Sequence, residues 1–110
     1  MNRPAALSVV IPCLNEAERL PLLLADLQCV GSGLEILLAD GGSSDATPEI
    51  ADLAGADLIK VHPAGRGRQL RAAAAQAHGD WLLFLHADSR LPLQWFRGVS
   101  PLLQTSAAAA

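Results

Sequence analysis

Four short stretches of the chain concentrate the residue types that could do chemistry. Asn15 and Glu16 follow one apolar run, and Asp40, Gly41, Gly42, Ser43, Ser44 and Asp45 follow a second. Gly65, Arg66, Gly67 and Arg68 follow a third, and His86-Ala87-Asp88 closes a fourth. A single carboxylate sharing a divalent cation with substrate phosphates is a common way to hold Mg²⁺ or Mn²⁺. Asp88 is the candidate for it. An imidazole can join such a carboxylate, more readily on Mn²⁺ than on Mg²⁺, which makes His86 the second metal candidate. Taken alone, His86 also reads as a core residue or a hydrogen-bonding partner of its turn.

Arg66, Arg68 and Arg71 are three of only eight positive residues, and they sit where a helix begins. The helix dipole disfavours cations there by roughly 0.3–1 kcal/mol each. A bound anion reverses that sign, because free backbone N–H groups at a helix start bind phosphate and arginine adds charge-assisted hydrogen bonds. A solvated basic turn is the other reading. Two readings are likewise open for Asn15 and Glu16: Asn15 capping the first helix with Glu18 completing a capping box, or a carboxylate accepting from a ribose or base. The segment Asp40 to Asp45 is either a glycine-rich turn closed by its own side chains or a place where a nucleotide approaches the backbone closely. His62 and His78 read as surface or loop residues. Cys13 and Cys29 lack a neighbouring His and acid and offer no nucleophile.

The elements that position these groups follow from period. Apolar runs of strand length occur at 7–12, 34–39, 57–61 and 81–86. Between them, Ala17, Leu20, Leu23, Leu24 and Leu27 share one helical face, ended by Gly31 and Gly33, with Pro21 either kinking that helix or opening its main part. Thr47 as N-cap, Pro48 as first helical residue and Gly55 beyond the end mark a short second helix. A third runs from Arg66 to about His78, with Leu70, Ala73, Ala74 and Ala77 inward and Gly79 closing it. Strand and helix alternating to a fourth strand predict an α/β fold: an open, mostly parallel sheet with helices on both faces. In such sheets the ligand crevice lies outside the carboxyl ends of the strands, where all four stretches fall. Alternation along the fourth strand would point His86 and Asp88 to the same side.

At 110 residues, with 51% hydrophobic and 17% charged, the chain has the length and composition of one folded domain rather than of a disordered segment. A net charge of −3 argues against nucleic acid as a partner. Two cysteines without CxxC spacing read as a buried reduced pair, which fits a cytoplasmic protein. No apolar run reaches the roughly 18 residues that span a bilayer, so the chain is expected to be soluble, or peripheral at the inner face of a membrane. Beyond Pro92 the pattern is ambiguous, with Leu93, Trp95, Phe96 and Val99 helical in spacing but interrupted by Gly98 and Pro101.

The stretches SVVIPCLNEAERL, LLADGGSSDAT and GRGRQLRAAAAQAHGDWLLFLHADSRLP, in this order on these strands, resemble the nucleotide-binding half of a family 2 glycosyltransferase of the GT-A fold. The likeness covers about residues 7–92, and the His-Ala-Asp form is similar to a bacterial subset labelled radical-SAM/selenodomain-associated transferase 2. The resemblance implies a nucleotide-diphospho-sugar donor, an acceptor hydroxyl and inversion at the anomeric carbon. By motif, Pro12, Asn15 and Glu16 match Pro-x-x-Asn-Glu, with Glu16 near the ribose or base. Asp40 matches the aspartate that reads the base, and Ser43, Ser44 and Asp45 match the turn after it. Arg68 matches an arginine near the diphosphate, and Asp88 the last acid of the Asp-x-Asp metal motif. His86 replaces the first acid of that motif, Arg71 stands where many relatives have asparagine, and Ala73 where many have glycine.

The family's acceptor half, which supplies the general base, would begin near Leu91. Residues 1–110 are therefore expected to be a single donor-binding domain, a truncated chain inactive alone. Two rivals are a sugar-phosphate nucleotidyltransferase, which would want a basic glycine-rich stretch after the first strand, and a non-catalytic remnant or interaction module. Exposed Trp95, Phe96, Leu102 and Leu103 would favour the last, through self-association.

Overall fold

The computed structural model describes residues 7–29, 34–92 and 94–95. Its elements run β1 (Leu7–Cys13), α1 (Leu20–Gln28), β2 (Leu34–Asp40), α2 (Thr47–Leu53), β3 (Asp57–Lys60), α3 (Arg66–Gln76) and β4 (Trp81–Phe84). The four strands form one sheet in the order β3-β2-β1-β4, every neighbouring pair parallel. The α/β expectation holds. From β1 the chain steps outward to β2 and β3, then returns across the sheet to place β4 on the other side of β1. Right-handed crossovers made in opposite directions put their helices on opposite faces.

Two cores result. Val9, Ile11 and Cys13 face one way and pack with Leu20, Leu23, Leu24 and Leu27 of α1 and Ala51 of α2. Val10, with Leu37, Ala39, Ile59 and Val61, faces the other way against Ala73 of α3. Helix α1 has nine residues and no side-chain cap, and an isolated helix so short is marginal in water. Its buried leucine stripe holds it, each leucine contributing about 1.5–3 kcal/mol. Ala73 is fully buried, so α3 lies close on the sheet.

Several sequence expectations are corrected in detail. Asn15 does not cap α1, because Arg19 precedes the helix and Pro21 sits in its first turn, so there is no Asn15–Glu18 capping box. Thr47 is the first residue of α2 rather than its cap, and its backbone N–H donates to Asp45 Oδ1. Beyond α2, Gly55 takes φ +78, with Gly55 N–H donating to Asp52 O and Ala56 N–H to Ala51 O, the paired bonds of a glycine-ended helix. Helix α3 stops at Gln76, two residues short of His78, and its deepest side chains are Gln69 and Ala73. Trp95, whose exposure would have favoured an interaction module, is half-buried and packs against the α1 core. Among the described residues the exposed aromatics are Trp81 and Phe84 on β4. Cys13 is buried and Cys29 exposed, both free, so they are not a buried pair. Gly31, Gly33, Leu93, Phe96, Val99, Leu102 and Leu103 lie outside the described residues.

At the amino end of the sheet Glu35 gathers Ser8 Oγ, His78 N–H and His78 Nδ1, at 2.7, 2.8 and 2.8 Å. Gly79 N–H donates to the same Ser8 hydroxyl, and a Cβ on Gly79 would meet Ser8 Oγ at 2.6 Å, so only glycine fits. Burial pushes the Glu35 carboxyl up, but the hydrogen bonds from His78 and Ser8 outweigh it and hold it below its usual 4.5. The hydrogen bond to Glu35, then its charge and that of Asp57, raise His78 above 6.5. A raised histidine stabilises the fold fully below its unfolded pKa and stops doing so as pH climbs through its folded one. A lowered carboxylate stabilises it above its unfolded pKa and stops as pH falls through its folded one. The clasp is therefore strongest between about pH 4.5 and 6.5. Melting curves of the parent and His78→Ala from pH 4 to 9 are expected to differ most in that window and to converge above it. A gap that stays constant with pH would remove the ion pair from the explanation.

Candidate functional site

The sheet order changes direction at β1, which puts a crevice between the carboxyl ends of β1 and β4. Strand β4 pairs with β1 only over Leu7–Val10, and Leu85 N–H donates the last bond to Val10 O. Beyond that point β1 continues alone on this side through Pro12, which has no N–H to offer a neighbour. An open cleft of about 260 Å³ lies there, lined by Pro12, Cys13, Leu14, Glu16, Arg66, Gln69, His86, Ala87 and Asp88. That is below the roughly 300–1,000 Å³ of sites that enclose a drug-sized ligand, and suits a diphosphate head group.

His86 and Asp88 reach the cleft by a different route from the one expected. Strand β4 ends at Phe84, and the two residues sit in a turn closed by Ser89 N–H to His86 O, with Ala87 buried between them as the anchor. Both side chains are exposed at the cleft. Among the described residues no three of His, Cys, Asp and Glu gather closely enough to hold a metal ion unaided. One carboxylate and one imidazole from a single turn still fit a divalent cation whose other ligands are phosphate oxygens and water.

Asn15, Asp40, Ser43 and Asp45 do not line the cleft; they knit the loops that flank it. Asn15 takes φ 55, a left-handed conformation asparagine tolerates, donates its N–H to Ser43 Oγ and accepts from Ser44 N–H and Asp45 N–H at Oδ1. Glu16 N–H donates to Thr47 Oγ1 and Ala17 N–H to Asp45 Oδ2. The Thr47 hydroxyl on Asp45, helped by N–H groups of Thr47 and Ala17, holds that carboxyl below the usual range. Asp40 is buried, accepting at Oδ2 from Gly42 N–H and Ser43 N–H and at Oδ1 from Ser43 Oγ. Of the two readings of the Asp40 to Asp45 segment, the bonds seen are those of a turn closed by its own side chains, and none of its residues lines the cleft.

Helix α3 begins at Arg66, after Gly65, with no side-chain cap on its first turn, and Arg66 lines the cleft. Arg68 is exposed and folds back over Gly65 rather than lining the cleft. Sequence reasoning missed Gln69. It is buried, donates from Nε2 to Cys13 O and Ala39 O, and accepts at Oε1 from Gly65 N–H. One amide thus joins the ends of β1 and β2 to the start of α3. The available signal was a polar residue on the inward stripe of α3, one position before Leu70.

Burial, then the charges of Glu16, Asp40 and Asp45, push the Cys13 thiol up to about 12, so it stays neutral and unreactive at the cleft. A thiol reagent is expected to modify one cysteine in the folded 110-residue chain and two after unfolding, with Cys29 the first. Two modified at equal rates in the folded state would show Cys13 to be open.

The glycosyl transferase family 2 model matches residues 8–110. The chain belongs to that family. Glycosyltransferase AglJ of Haloferax volcanii is 33% identical over 89 residues, 80% of this chain and 29% of that protein. The undecaprenyl-phosphate 4-deoxy-4-formamido-L-arabinose transferase of Pectobacterium carotovorum is 38% identical over 96 residues, 77% of this chain and 29% of that one. This family 2 chain thus spans less than a third of the length of either relative. Among solved structures, glucosyl-3-phosphoglycerate synthase of Mycobacterium tuberculosis, crystallised with Mn²⁺, uridine diphosphate and glucosyl-3-phosphoglycerate, superposes with a TM-score of 0.72 at 28% identity. The overlap covers 90% of this chain and 40% of the synthase. The parallel sheet of the family 2 chain is that of the GT-A fold.

Proposed function

We propose that this chain is the donor-binding part of an inverting, metal-dependent glycosyltransferase that takes a nucleotide-diphospho-sugar. The observation that carries the reading is the cleft itself: Arg66 and the uncapped start of α3 face Asp88 and His86 across the point where the sheet reverses direction. An anion site and a carboxylate–imidazole pair so placed suit the two ends of one metal diphosphate. The Mn²⁺ and uridine diphosphate bound by the mycobacterial synthase support it.

In this reading the α3 N–H groups and Arg66 hold the diphosphate, with Arg68 free to swing in from Gly65. Asp88 and His86 hold the divalent cation, Mn²⁺ or Mg²⁺, which when bound neutralises charge on the departing diphosphate. Glu16 faces the ribose or base, Pro12 forms the wall, and Asn15, Asp40, Ser43 and Asp45 keep the flanking loops in place, Asp40 bordering the base. The bond from the anomeric carbon to the diphosphate oxygen breaks with its electron pair leaving on that oxygen. The acceptor oxygen bonds the opposite face, and its proton goes to a general base. The family resemblance puts that base in an acceptor half beyond Leu91, so the 110-residue chain is expected to bind donor without transferring sugar.

Cytoplasmic placement at the inner face of a membrane belongs to the same proposal, supported by two free cysteines and by the relative named for undecaprenyl-phosphate. No helix among the described residues is long and apolar enough to cross a membrane. A second reading, an interaction module, has one observation in its favour: Trp81, Leu82 and Phe84 are exposed on β4, one of the two edge strands of the described sheet. Calorimetric titration with uridine, guanosine and thymidine diphosphates, with Mn²⁺ and in EDTA, separates the two. Binding of one of them that strengthens with Mn²⁺ is expected; none bound by a chain shown to be folded would favour the module.

A further inference from the structure

The turn that carries His86 and Asp88 is held at both ends. Upstream, Leu85 N–H is tied to Val10 O of β1, and Ala87 is buried in the α1 core. Downstream the tie is a single carboxylate on α1: Asp26 accepts from Arg90 Nε at 2.9 Å and from Leu91 N–H at 3.0 Å on Oδ2, and from Arg90 Nη2 at 3.2 Å on Oδ1. Among exposed ion pairs most contribute little, but this one is a two-pronged guanidinium fork with a backbone N–H added. Asp26 is largely sheltered, its side chain 15% exposed, and Leu91 packs against the same core beneath it. Arg90 lies two residues after Asp88, so this fork decides where the turn leaves the sheet.

We infer that Asp26 and Arg90 are positioning residues for the candidate metal turn, fixing Asp88 and His86 where they meet a diphosphate-bound cation. The inference rests on the proposed function of the cleft. Neither residue lines the cleft, so their effect is confined to the contribution of the turn. An Asp26→Asn change keeps the size and loses the charge, while Arg90→Lys keeps the charge and loses the fork. Partners hydrogen-bonded directly to metal ligands change metal affinity by about 10–100-fold when removed; the Asp26–Arg90 tie acts one step further out, through the backbone of the turn, so the low end of that range applies.

The test is uridine diphosphate titration of the parent, Asp26→Asn and Arg90→Lys chains, each with Mn²⁺ and in EDTA, with exchange of the Ser89 amide followed by NMR. The parent is expected to gain affinity with Mn²⁺. Asp26→Asn should lose about tenfold of that gain, Arg90→Lys should lose less, and affinity in EDTA should be unchanged in both. Faster Ser89 exchange in Asp26→Asn is expected alongside, because the turn bond from Ser89 N–H to His86 O loosens. A parent with no Mn²⁺ gain refutes the functional reading and takes the positioning role with it. A parent gain that both variants keep in full overturns the positioning role alone, as does an equal loss with and without Mn²⁺, which would mark a merely structural tie.

Discussion

Replacing Gln69 with leucine is expected to destabilise the chain by about 2–4 kcal/mol, since each buried polar group left without a partner costs roughly 1–3 kcal/mol. Leucine is close to glutamine in size, so the loss is not one of packing. What it removes are the two Nε2 donors to Cys13 O and Ala39 O and the Oε1 acceptor of Gly65 N–H. Cys13 O keeps a bond from Gly41 N–H, and Ala39 O keeps its place in the β1–β2 ladder, which puts the estimate well below three full penalties. A domain near 100 residues shifts its melting temperature by about 4–8 °C per kcal/mol, so a drop of at least about 8 °C should be seen. Thermal melts of Gln69→Leu beside the parent decide it. A shift under about 2 °C would mean that the two strands and α3 hold together without the amide.

The second large effect is on binding. Asp88→Ala removes the only carboxylate of the His86–Ser89 turn, leaving His86 as its sole metal-binding side chain. The strengthening of uridine diphosphate binding by Mn²⁺ should fall by at least about tenfold, or about 1.4 kcal/mol. In EDTA the same variant should bind as well as the parent or slightly better, because a negative charge has left an anion site. His86→Ala should act in the same direction and less. A Mn²⁺ effect of parent size in Asp88→Ala would mean that the cation is held elsewhere.

The fold was legible because strand runs and helix stripes carry their own period. Leu20, Leu23, Leu24 and Leu27 are the buried face of α1, as their spacing requires. That the four loop stretches share one edge was legible too, because the strands of an open parallel sheet end on the same side; which of their residues line the cleft was not. What escaped were contacts between loops distant in sequence. Asn15 looks like a helix cap because a helix comes next in the chain, yet its partners Ser43, Ser44 and Asp45 lie about 30 residues away. Gln69 satisfies carbonyls of two strands that no local rule connects to it. His86 and Asp88 read as strand residues because WLLFLH is apolar throughout, but β1 turns to Pro12 at that level and can no longer pair, so β4 stops at Phe84. Where Trp95 packs was not legible either, because the tie between Arg90 and Asp26 that precedes it joins residues 64 apart in the chain.

The central claim is that the cleft between the ends of β1 and β4 holds a metal-bound nucleoside diphosphate. Paramagnetic broadening of backbone amide signals by Mn²⁺, with and without uridine diphosphate, tests it most directly. With the nucleotide present, signals of residues 86–88, Glu16, Arg66 and Gln69 should broaden most, while Ser8, Glu35 and His78 at the opposite end of the sheet stay sharp. Broadening centred on that opposite end, or spread evenly over exposed carboxylates and unchanged by the nucleotide, would contradict it.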